Sequence, residues 1–397
     1  MFYPFVNPLT NERQDMKIVP LALLILSLCS VGLAQTPGNI LYAENFASVQ
    51  AAINSCQSIT AQSPVSGGTK GCTVYATANT VNLALGTLDP GSNTIPITLI
   101  LGPFDFTATQ IVLRADFRIL GSGSNHTSIT STAPSQNLIV FPQINNTAVT
   151  GVALQNIHFI GAAGNTSQEG LSIDVSNLTT SQFSYTKDIG NLTFTNFHGP
   201  TIHFRGRAND AASAIQVLTL TNIWATRPAG GSHALRMEGY NAQITFEGCE
   251  FDGSAPNDGE INISMGPIGS TGTYVPLTIF FHNLTVQNGT YGMWFGGVQN
   301  VIVDGAHSEA TPWVFVFTAS SSSLAGASNK NIVITHSFIS GSSASTLLLD
   351  NEDPNASVRF LDNLVFGSPG MFRAGTYGAN IAYCGNSGAA IVAGCHL

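Results

Sequence analysis

The feature that most constrains this chain is a short pattern that recurs eight times between residues 152 and 366. Each copy is a run of alternating apolar residues, then a bend residue, then a second short apolar run. Alternation with a period of two marks a strand with one buried face, and Asn and Gly tolerate the left-handed backbone of a sharp bend. The bend positions assigned from the pattern are Asn156, Asn196, Asn222, Gly248, Asn283, Gly305, His336 and, with a one-residue ambiguity in register, Asn363.

A further strand is predicted between successive copies, so that each coil holds about three short strands. The insertions fall between these strands, which a solenoid tolerates because each coil contacts only its neighbours. The repeat therefore predicts a stack of similar coils. The intervening strands are predicted at Leu171–Val175, Ile202–Arg205, Leu235–Glu238, Ile261–Met265, Met293–Phe295, Trp313–Phe317 and Leu347–Asp350.

The segment before the repeats has the features of a cap. A short helix with one apolar face is predicted over residues 45–56. Gly67-Gly68 then precedes a strand near Val74, and Ile119-Leu-Gly-Ser-Gly123 leads to a strand at Thr127-Ser-Ile129. A solenoid needs such a cap because its first coil otherwise exposes its core and an unpaired strand edge.

This arrangement resembles the entry to right-handed parallel β-helix proteins of the pectate-lyase-like superfamily. The resemblance covers about residues 43–385. It implies an all-β fold, a right-handed parallel β-helix with a short N-terminal capping helix. The alternative, an antiparallel β-sandwich, would show hairpin turns between paired strands instead of one repeated bend.

The N-terminus has the pattern of a secretory signal peptide. Met16-Lys17 opens an apolar run, Ile18 to Leu28, and small residues follow up to Ala34. Residues 1–15 then look like an over-extended start, and 35–397 would be one domain with a cap at about 43–75, coils at about 95–385 and a C-terminal cap at 384–397. We expect a secreted, periplasmic or cell-surface protein with no membrane span, because no second apolar stretch reaches about 18 residues.

Five cysteines remain after residue 34. Export permits disulfides, and the local pairings are Cys56 with Cys72 and Cys384 with Cys395. Cys249 is then left over between apolar strand positions, so we expect it to be a buried thiol.

Composition and motifs exclude several functions. The chain has 13 basic and 22 acidic residues, a net charge of −9, whereas a nucleic-acid-binding protein needs clustered Lys and Arg. Motifs of serine hydrolases, zinc proteases, P-loop enzymes and EF-hands are missing from the sequence. Asp304, His307 and Glu309 are interpreted as solvated bend residues, and Asp350 to Asp353 as an exposed acidic turn that could alternatively bind calcium.

The intervening strands supply the candidate site. If their apolar residues point inward, a mixed-charge row with a Trp points outward, and its members on successive coils lie about 4.8 Å apart. Such a face suits a polysaccharide, but the same charges could simply be cross-strand ion pairs worth roughly 0.2–1 kcal/mol each. The predicted exposed row is Ser172, Asp174, His203, Arg205, Arg236, Glu238, Asn262, Ser264 and Trp294.

The resemblance implies polysaccharide cleavage by β-elimination or hydrolysis, with a plant or microbial glycan as partner. Arg205 or Arg236 would be the base, Asp174 and Glu238 acid or calcium groups, and His203, Asn262, Ser264 and Trp294 substrate-binding residues. Asp258 and Glu260 are further calcium candidates. The alternative is a non-catalytic adhesion or glycan-binding β-helix. A cleft walled by residues 225–232 and 253–260 would favour an enzyme.

Overall fold

A computed structural model describes residues 40–59, 71–77, 83–92, 95–209, 211–255, 258–267, 274–319, 328–340, 347–366, 370–372 and 381–388. Within these residues the chain forms a 3₁₀ turn at Ala43–Asn45, helix α1 at Val49–Ile59 and 32 strands. The predicted signal peptide and Gly67-Gly68 lie outside the described residues. No helix in the described part is long and apolar enough to cross a membrane.

The strands follow one another in chain order as the coils accumulate. The first nine are β1 (Ile40–Tyr42), β2 (Cys72–Ala76), β3 (Ala84–Leu88), β4 (Ile97–Leu101), β5 (Asp105–Val112), β6 (Phe117–Leu120), β7 (Ser128–Ser131), β8 (Ile139–Val140) and β9 (Ala148–Val149). The central group is β10 (Ala153–Ile160), β11 (Leu171–Asp174), β12 (Gln182–Thr195), β13 (Ile202–Arg205), β14 (Ala214–Thr226), β15 (Leu235–Glu238), β16 (Asn241–Glu247), β17 (Glu250–Asp252), β18 (Ile261–Gly266), β19 (Leu277–His282) and β20 (Thr285–Gln287). The last group is β21 (Tyr291–Gly296), β22 (Gln299–Asp304), β23 (His307–Glu309), β24 (Trp313–Thr318), β25 (Lys330–Thr335), β26 (Phe338–Ser340), β27 (Leu347–Asn351), β28 (Val358–Leu361), β29 (Leu364–Phe366), β30 (Gly370–Phe372), β31 (Ile381–Cys384) and β32 (Ser387–Gly388).

Strands of successive coils pair in parallel and form three stacks along the axis. The first stack contains β16, β19, β22, β25, β28 and β31, and the second contains β17, β20, β23, β26, β29 and β32. The third stack contains β8, β11, β13, β15, β18, β21, β24, β27 and β30. This architecture confirms the predicted parallel β-helix, and the antiparallel sandwich is wrong.

The bend between the first and second stacks uses a left-handed residue in each repeat, and six of the eight assigned positions are correct. Asn196 is wrong because it lies at the following bend, and Asn191 holds the equivalent position, where its Oδ1 accepts a bond of 3.1 Å from Asn222. Apolar alternation continues past this bend through β12, so the sequence pattern looks the same on both sides. In the last copy the bend residue is Asp362, at φ 53°, instead of Asn363.

The core runs along the axis as ladders of inward-facing side chains. A parallel register places equivalent residues about 4.8 Å apart, so that aromatic rings on neighbouring coils stack. Three such pairs have ring centroids 5.0–5.2 Å apart: Phe159 with Phe194, Phe246 with Phe281, and Phe295 with Phe317.

Helix α1 closes the first coils with its apolar face, on which Val49 and Ile53 are fully buried. A disulfide joins Cys56 of this helix to Cys72 of β2, as predicted. Cys384 is also disulfide-bonded, while its predicted partner Cys395 lies outside the described residues. Cys249 is the predicted buried free thiol, and burial raises its pKa to about 11.

Candidate functional site

The outer face of the third stack carries two parallel rows of side chains. In the first row Asp174 of β11 pairs with Arg205 of β13, which pairs with Glu238 of β15. The neighbouring row runs through Ser172, His203, Arg236, Ser264 and Trp294. The alternation of the strands therefore brings charged residues that are about 30 positions apart in sequence onto adjacent coils.

These charges form a continuous ion-pair network. Arg205 Nη1 lies 2.8 Å from Asp174 Oδ2, and Arg205 Nε lies 3.3 Å from Glu238 Oε2. Arg236 Nη2 lies 2.5 Å from the other oxygen of Glu238. The side chain of Glu238 is 13% exposed, whereas those of Arg205 and Arg236 are 34% and 38% exposed. Glu238 is thus the mostly buried centre of the network, and the two guanidinium groups are partly exposed to solvent.

The prediction that His203 lies on an exposed face is wrong, because glutamates cover its ring on both sides. Its Nδ1 lies 2.8 Å from Glu169 Oε1, its Nε2 lies 2.9 Å from Glu238 Oε2, and the residue is 2% exposed. Burial by itself would lower the pKa of His203, but the bonds to Glu169 and Glu238 outweigh it and raise the pKa. The imidazolium can donate to both carboxylates at once.

Glu169 is a member of the site that the sequence reasoning missed. It stands before β11 and so falls outside the alternating positions of the strand. Asn137 orients it: the Asn137 Nδ2 donates to Glu169 Oε2 at 2.9 Å, and the Glu169 backbone N–H donates to Asn137 Oδ1 at 3.0 Å. The signal in the sequence was an acidic residue two positions before a strand of this stack, in a chain with only 9% charged residues.

The protonation of the cluster is fixed by these contacts. Burial alone would raise the pKa of Glu238, but the bond from His203 and the charge of Arg236 lower it to about 2. Burial alone would also raise the pKa of Glu169, but the hydrogen bond from His203 outweighs it and the pKa is lowered. The site therefore brings three acidic side chains, Glu169, Asp174 and Glu238, against three basic ones, Arg205, Arg236 and His203, and the contacts with Glu169 and Glu238 favour the protonated form of His203.

Arg205 is unsuited to the role of base that the resemblance suggested. Its burial favours the neutral form, but the charge of Asp174 outweighs this and raises the pKa of the guanidinium further. Arg205 therefore keeps its proton, and its contribution is a positive charge and N–H donors.

A cleft of about 460 Å³ opens beside this cluster. Glu169, Asp174 and Arg205 line one end, and Asp89 and Arg114 line the other. Apolar residues lie between them, and they include Val112, Val140 and Ile144. The volume is in the range of small-molecule sites, and the combination of an apolar surface with a few convergent polar groups is typical of such sites.

The cleft is not at the predicted walls, 225–232 and 253–260, because Arg227 of the first is tied to Asp258 of the second. Arg227 has a fully buried side chain, and its guanidinium contacts Asp258 at 2.5 Å and 2.7 Å. Its Nε donates to Asn262 Oδ1 at 3.2 Å. Asn262 is fully buried, so the prediction that it belongs to the exposed row is wrong.

The calcium candidates do not fit a metal. Burial would raise the pKa of Asp258, but the hydrogen bond from Arg227 lowers it, so the carboxylate is the ionic partner of that arginine. Glu260 donates its backbone N–H to the same carboxylate at 3.1 Å. Throughout the described residues, no group of three or more His, Cys, Asp or Glu side chains is placed to hold a metal ion.

Trp294 is half-buried instead of freely exposed. Its indole N–H donates to Thr318 Oγ1 at 2.9 Å, and its ring contacts Tyr291 edge-on with centroids 5.1 Å apart. Ser264 lies between Arg236 and Trp294 in the row. Together they extend the polar surface beyond the charged cluster.

The other polar groups noted in the sequence lie elsewhere. Asp304 is 40% exposed and contacts His336 at 2.9 Å, on the first stack. The interpretation of Asp350 to Asp353 as an exposed turn is wrong, since Asp350 is 3% exposed and Asp353 is fully buried. Asp353 is buried because its Oδ2 accepts the backbone N–H of Asn329 at 2.7 Å.

Comparison with known proteins agrees with the fold. No protein-family model and no curated protein sequence matches the chain. An alginate lyase from Paenibacillus sp. matches with a TM-score of 0.52 at 11% identity, over 74% of this chain and 98% of that one. A DFA-IIIase from Arthrobacter chlorophenolicus (TM-score 0.49, 12% identity, 89% and 84%) and a mannuronan C-5 epimerase A-module from Azotobacter vinelandii (TM-score 0.47, 14% identity, 88% and 96%) are also similar. At such low identities the likeness to the lyase shows a shared parallel β-helix fold.

Proposed function

We propose that the protein is a carbohydrate-active enzyme that cleaves an acidic polysaccharide in the cleft beside the third stack. One observation carries this proposal: Arg205, a partly exposed cation, and Glu169, a carboxylate held at both oxygens, line the same cleft. A cation that binds a sugar carboxylate and a fixed base beside it are the two groups that β-elimination of a uronate requires. The fold shared with an alginate lyase is compatible with this chemistry.

In the proposed reaction Arg205 pairs with the carboxylate of the sugar and makes the adjacent C–H more acidic. Glu169 takes this proton, the C–H electrons form a carbon–carbon double bond, and the glycosidic C–O bond breaks. The leaving oxygen takes a proton from water, and Glu169 then returns its proton to the resulting hydroxide. Asn137 and His203 hold the carboxylate in place throughout, which makes them positioning residues.

The second candidate is a glycan-binding protein without catalysis. The observation that favours it is the low pKa of Glu169 and Glu238, because a strongly ion-paired carboxylate is a weak base. Hydrolysis is less well supported than elimination, since a glycosidase needs one carboxyl group to remain protonated as an acid.

Activity is tested by incubating purified protein with polyuronates and neutral glycans, with and without calcium, and following the ultraviolet absorbance of an unsaturated product. We expect Glu169→Gln to reduce turnover by about 10²-fold or more, and Arg205→Ala to abolish it. Glu247→Gln is the matched control, because Glu247 is exposed on the first stack. Binding of a polyuronate without turnover in the wild type would support the second candidate, and full activity in Glu169→Gln would reject the assignment.

We also propose that the chain is exported. The pattern over residues 16–34 and the disulfide between Cys56 and Cys72 support this, because disulfides persist in oxidising compartments. Expression of the full chain should give a secreted protein whose N-terminal sequence begins at Gln35. Retention of an uncleaved chain in the cytoplasm would contradict it.

A further inference from the structure

The cleft differs at its two ends. At the end towards the cap, Arg114 donates from Nε and Nη2 to the two carboxylate oxygens of Asp89, both at 2.9 Å. Gln50 of α1 fixes the backbone of Asp89 from behind, donating to its carbonyl at 2.8 Å and accepting from its N–H at 2.9 Å. The Asp89–Arg114 pair is therefore a braced wall anchored to the capping helix.

The strand register places this wall in line with the charged cluster. Leu88 pairs with Ile111, so Asp89 lies alongside Val112, and Val112 pairs with Val140. Val140 pairs with Ser172, whose coil also carries Asp174. Three coil steps separate Asp89 from that coil, a distance of about 14 Å.

In the opposite direction one of the two rows continues with glycines and the other with a serine and a tryptophan. The row that holds Asp174, Arg205 and Glu238 continues through Gly266 and Gly296. The adjacent row continues through Ser264 to Trp294. Glycines leave room above a sheet that larger side chains would fill, so a chain can run on along this part of the third stack.

We infer that the cleft receives one end of the polysaccharide and that the enzyme is exo-acting. This inference rests on the proposed function and adds the mode of attack. A polymer can cross a site in mid-chain only if the groove is open on both sides, and on one side stands the Asp89–Arg114 pair, with Gln50 of the capping helix behind it. The terminal sugar then lies against this wall, near the amide of Gln110, and the scissile bond lies at Glu169 and Arg205.

The wild-type enzyme tests this without any substitution. With the polyuronate that is cleaved in the activity screen, the products of the first few per cent of turnover are sized by mass spectrometry while the viscosity is followed. We expect one short oligosaccharide of a single length from the earliest time, with viscosity falling slowly. A ladder of many lengths with a rapid fall in viscosity would overturn the inference and leave the proposed function intact. A wild type that cleaves no glycan would overturn both.

A double variant, Asp89→Ala with Arg114→Ala, should open the wall. We expect longer products to increase severalfold among the early products, while Arg118→Ala, an exposed arginine on β6, leaves the distribution unchanged. If the double variant melts below the assay temperature, Arg114→Gln is used in its place. An unchanged single product from a folded variant would show that the wall does not set the mode of attack.

Discussion

Two acidic groups on different stacks of the β-helix have pKa values shifted in opposite directions. Glu238 on the third stack has a pKa lowered to about 2. Asp252 on the second stack has a pKa raised to about 7 by burial, with a further contribution from its hydrogen bond to Glu250 and the like charge of that residue. Its Oδ2 accepts a bond of 3.0 Å from the indole N–H of Trp224.

The difference lies in the charged neighbours, both on the same strand and on the adjacent coils: Glu238 has Arg236 two residues before it, whereas Asp252 has Glu250. Both residues stand at outward positions of short strands. Glu238 pairs in register with Arg205, whereas Asp252 lies between the neutral Thr226 and Gln287. In a parallel solenoid the residue one coil away is about 4.8 Å distant, so it contributes strongly to the pKa of a mostly buried carboxyl group. The third stack therefore carries fixed positive charges suited to an anionic ligand.

The largest effect should come from Glu238→Gln, which removes the charge that His203, Arg205 and Arg236 share. We expect the free energy of unfolding at pH 7 to fall by about 3 kcal/mol, because breaking a largely buried ion pair leaves uncompensated charge. Urea denaturation measures this, with Glu247→Gln as the exposed control that changes stability by less than about 0.5 kcal/mol. A loss as small as the control's would show that the cluster behaves like ordinary surface ion pairs.

Asp252→Asn should stabilise the protein at high pH, whereas Glu238→Gln destabilises it. The folded-state pKa of Asp252 lies above its unfolded value, so its contribution to stability is present below about pH 4 and is lost as the pH rises through about 7. We therefore expect the variant to melt a few degrees above the wild type at pH 8 and at the same temperature at pH 4. Glu309→Gln, exposed on the same stack, is the control. A variant that is less stable at both pH values would contradict this prediction.

The fold was predictable because every coil repeats the same signal. Alternation identified all seven intervening strands of the third stack, from β11 to β27, and the apolar face of α1 indicated the cap. The misplaced bends at Asn196 and Asn363 have different causes. Asn191 and Asn196 both take a left-handed backbone, so the residue type does not tell their two bends apart, and in the last copy Asp362 takes that backbone one residue before Asn363.

The site was only partly predictable. Alternation and coil stacking predict that Asp174, Arg205 and Glu238 point outward and lie next to one another. They do not predict which outward side chains are covered by loops. His203 and Asn262 point away from the core and are nevertheless buried, because Glu169 and Arg227 come from loops that sequence alone does not position. The cleft itself depends on Asp89 and Arg114, which belong to coils that precede the recognisable repeats.

His203→Gln tests the centre of the charged cluster, with a smaller effect because glutamine can still donate to one carboxylate. The raised pKa of His203 means that its contribution is fully present below about pH 6.5 and is lost as the pH rises through the folded-state pKa. The melting temperature of the variant should therefore lie furthest below that of the wild type near pH 6, with the gap narrowing at higher pH. A gap that is constant with pH would mean that the histidine is neutral in the folded protein.

The smallest effect concerns Trp224, which is 47% exposed and donates its indole N–H to Asp252. That bond favours the charged carboxylate, so it acts against burial and against Glu250. Trp224→Phe keeps an aromatic ring but removes the donor, and the pKa of Asp252 should rise slightly further above its ordinary range. A carboxyl titration followed by NMR measures the change, and Trp294→Phe is the control, because that indole donates to Thr318 on the third stack. A fall in the pKa of Asp252 would contradict this prediction. It would mean that the Trp224 ring changes the solvent exposure of the Asp252 carboxyl group, and that its hydrogen bond does not set the pKa.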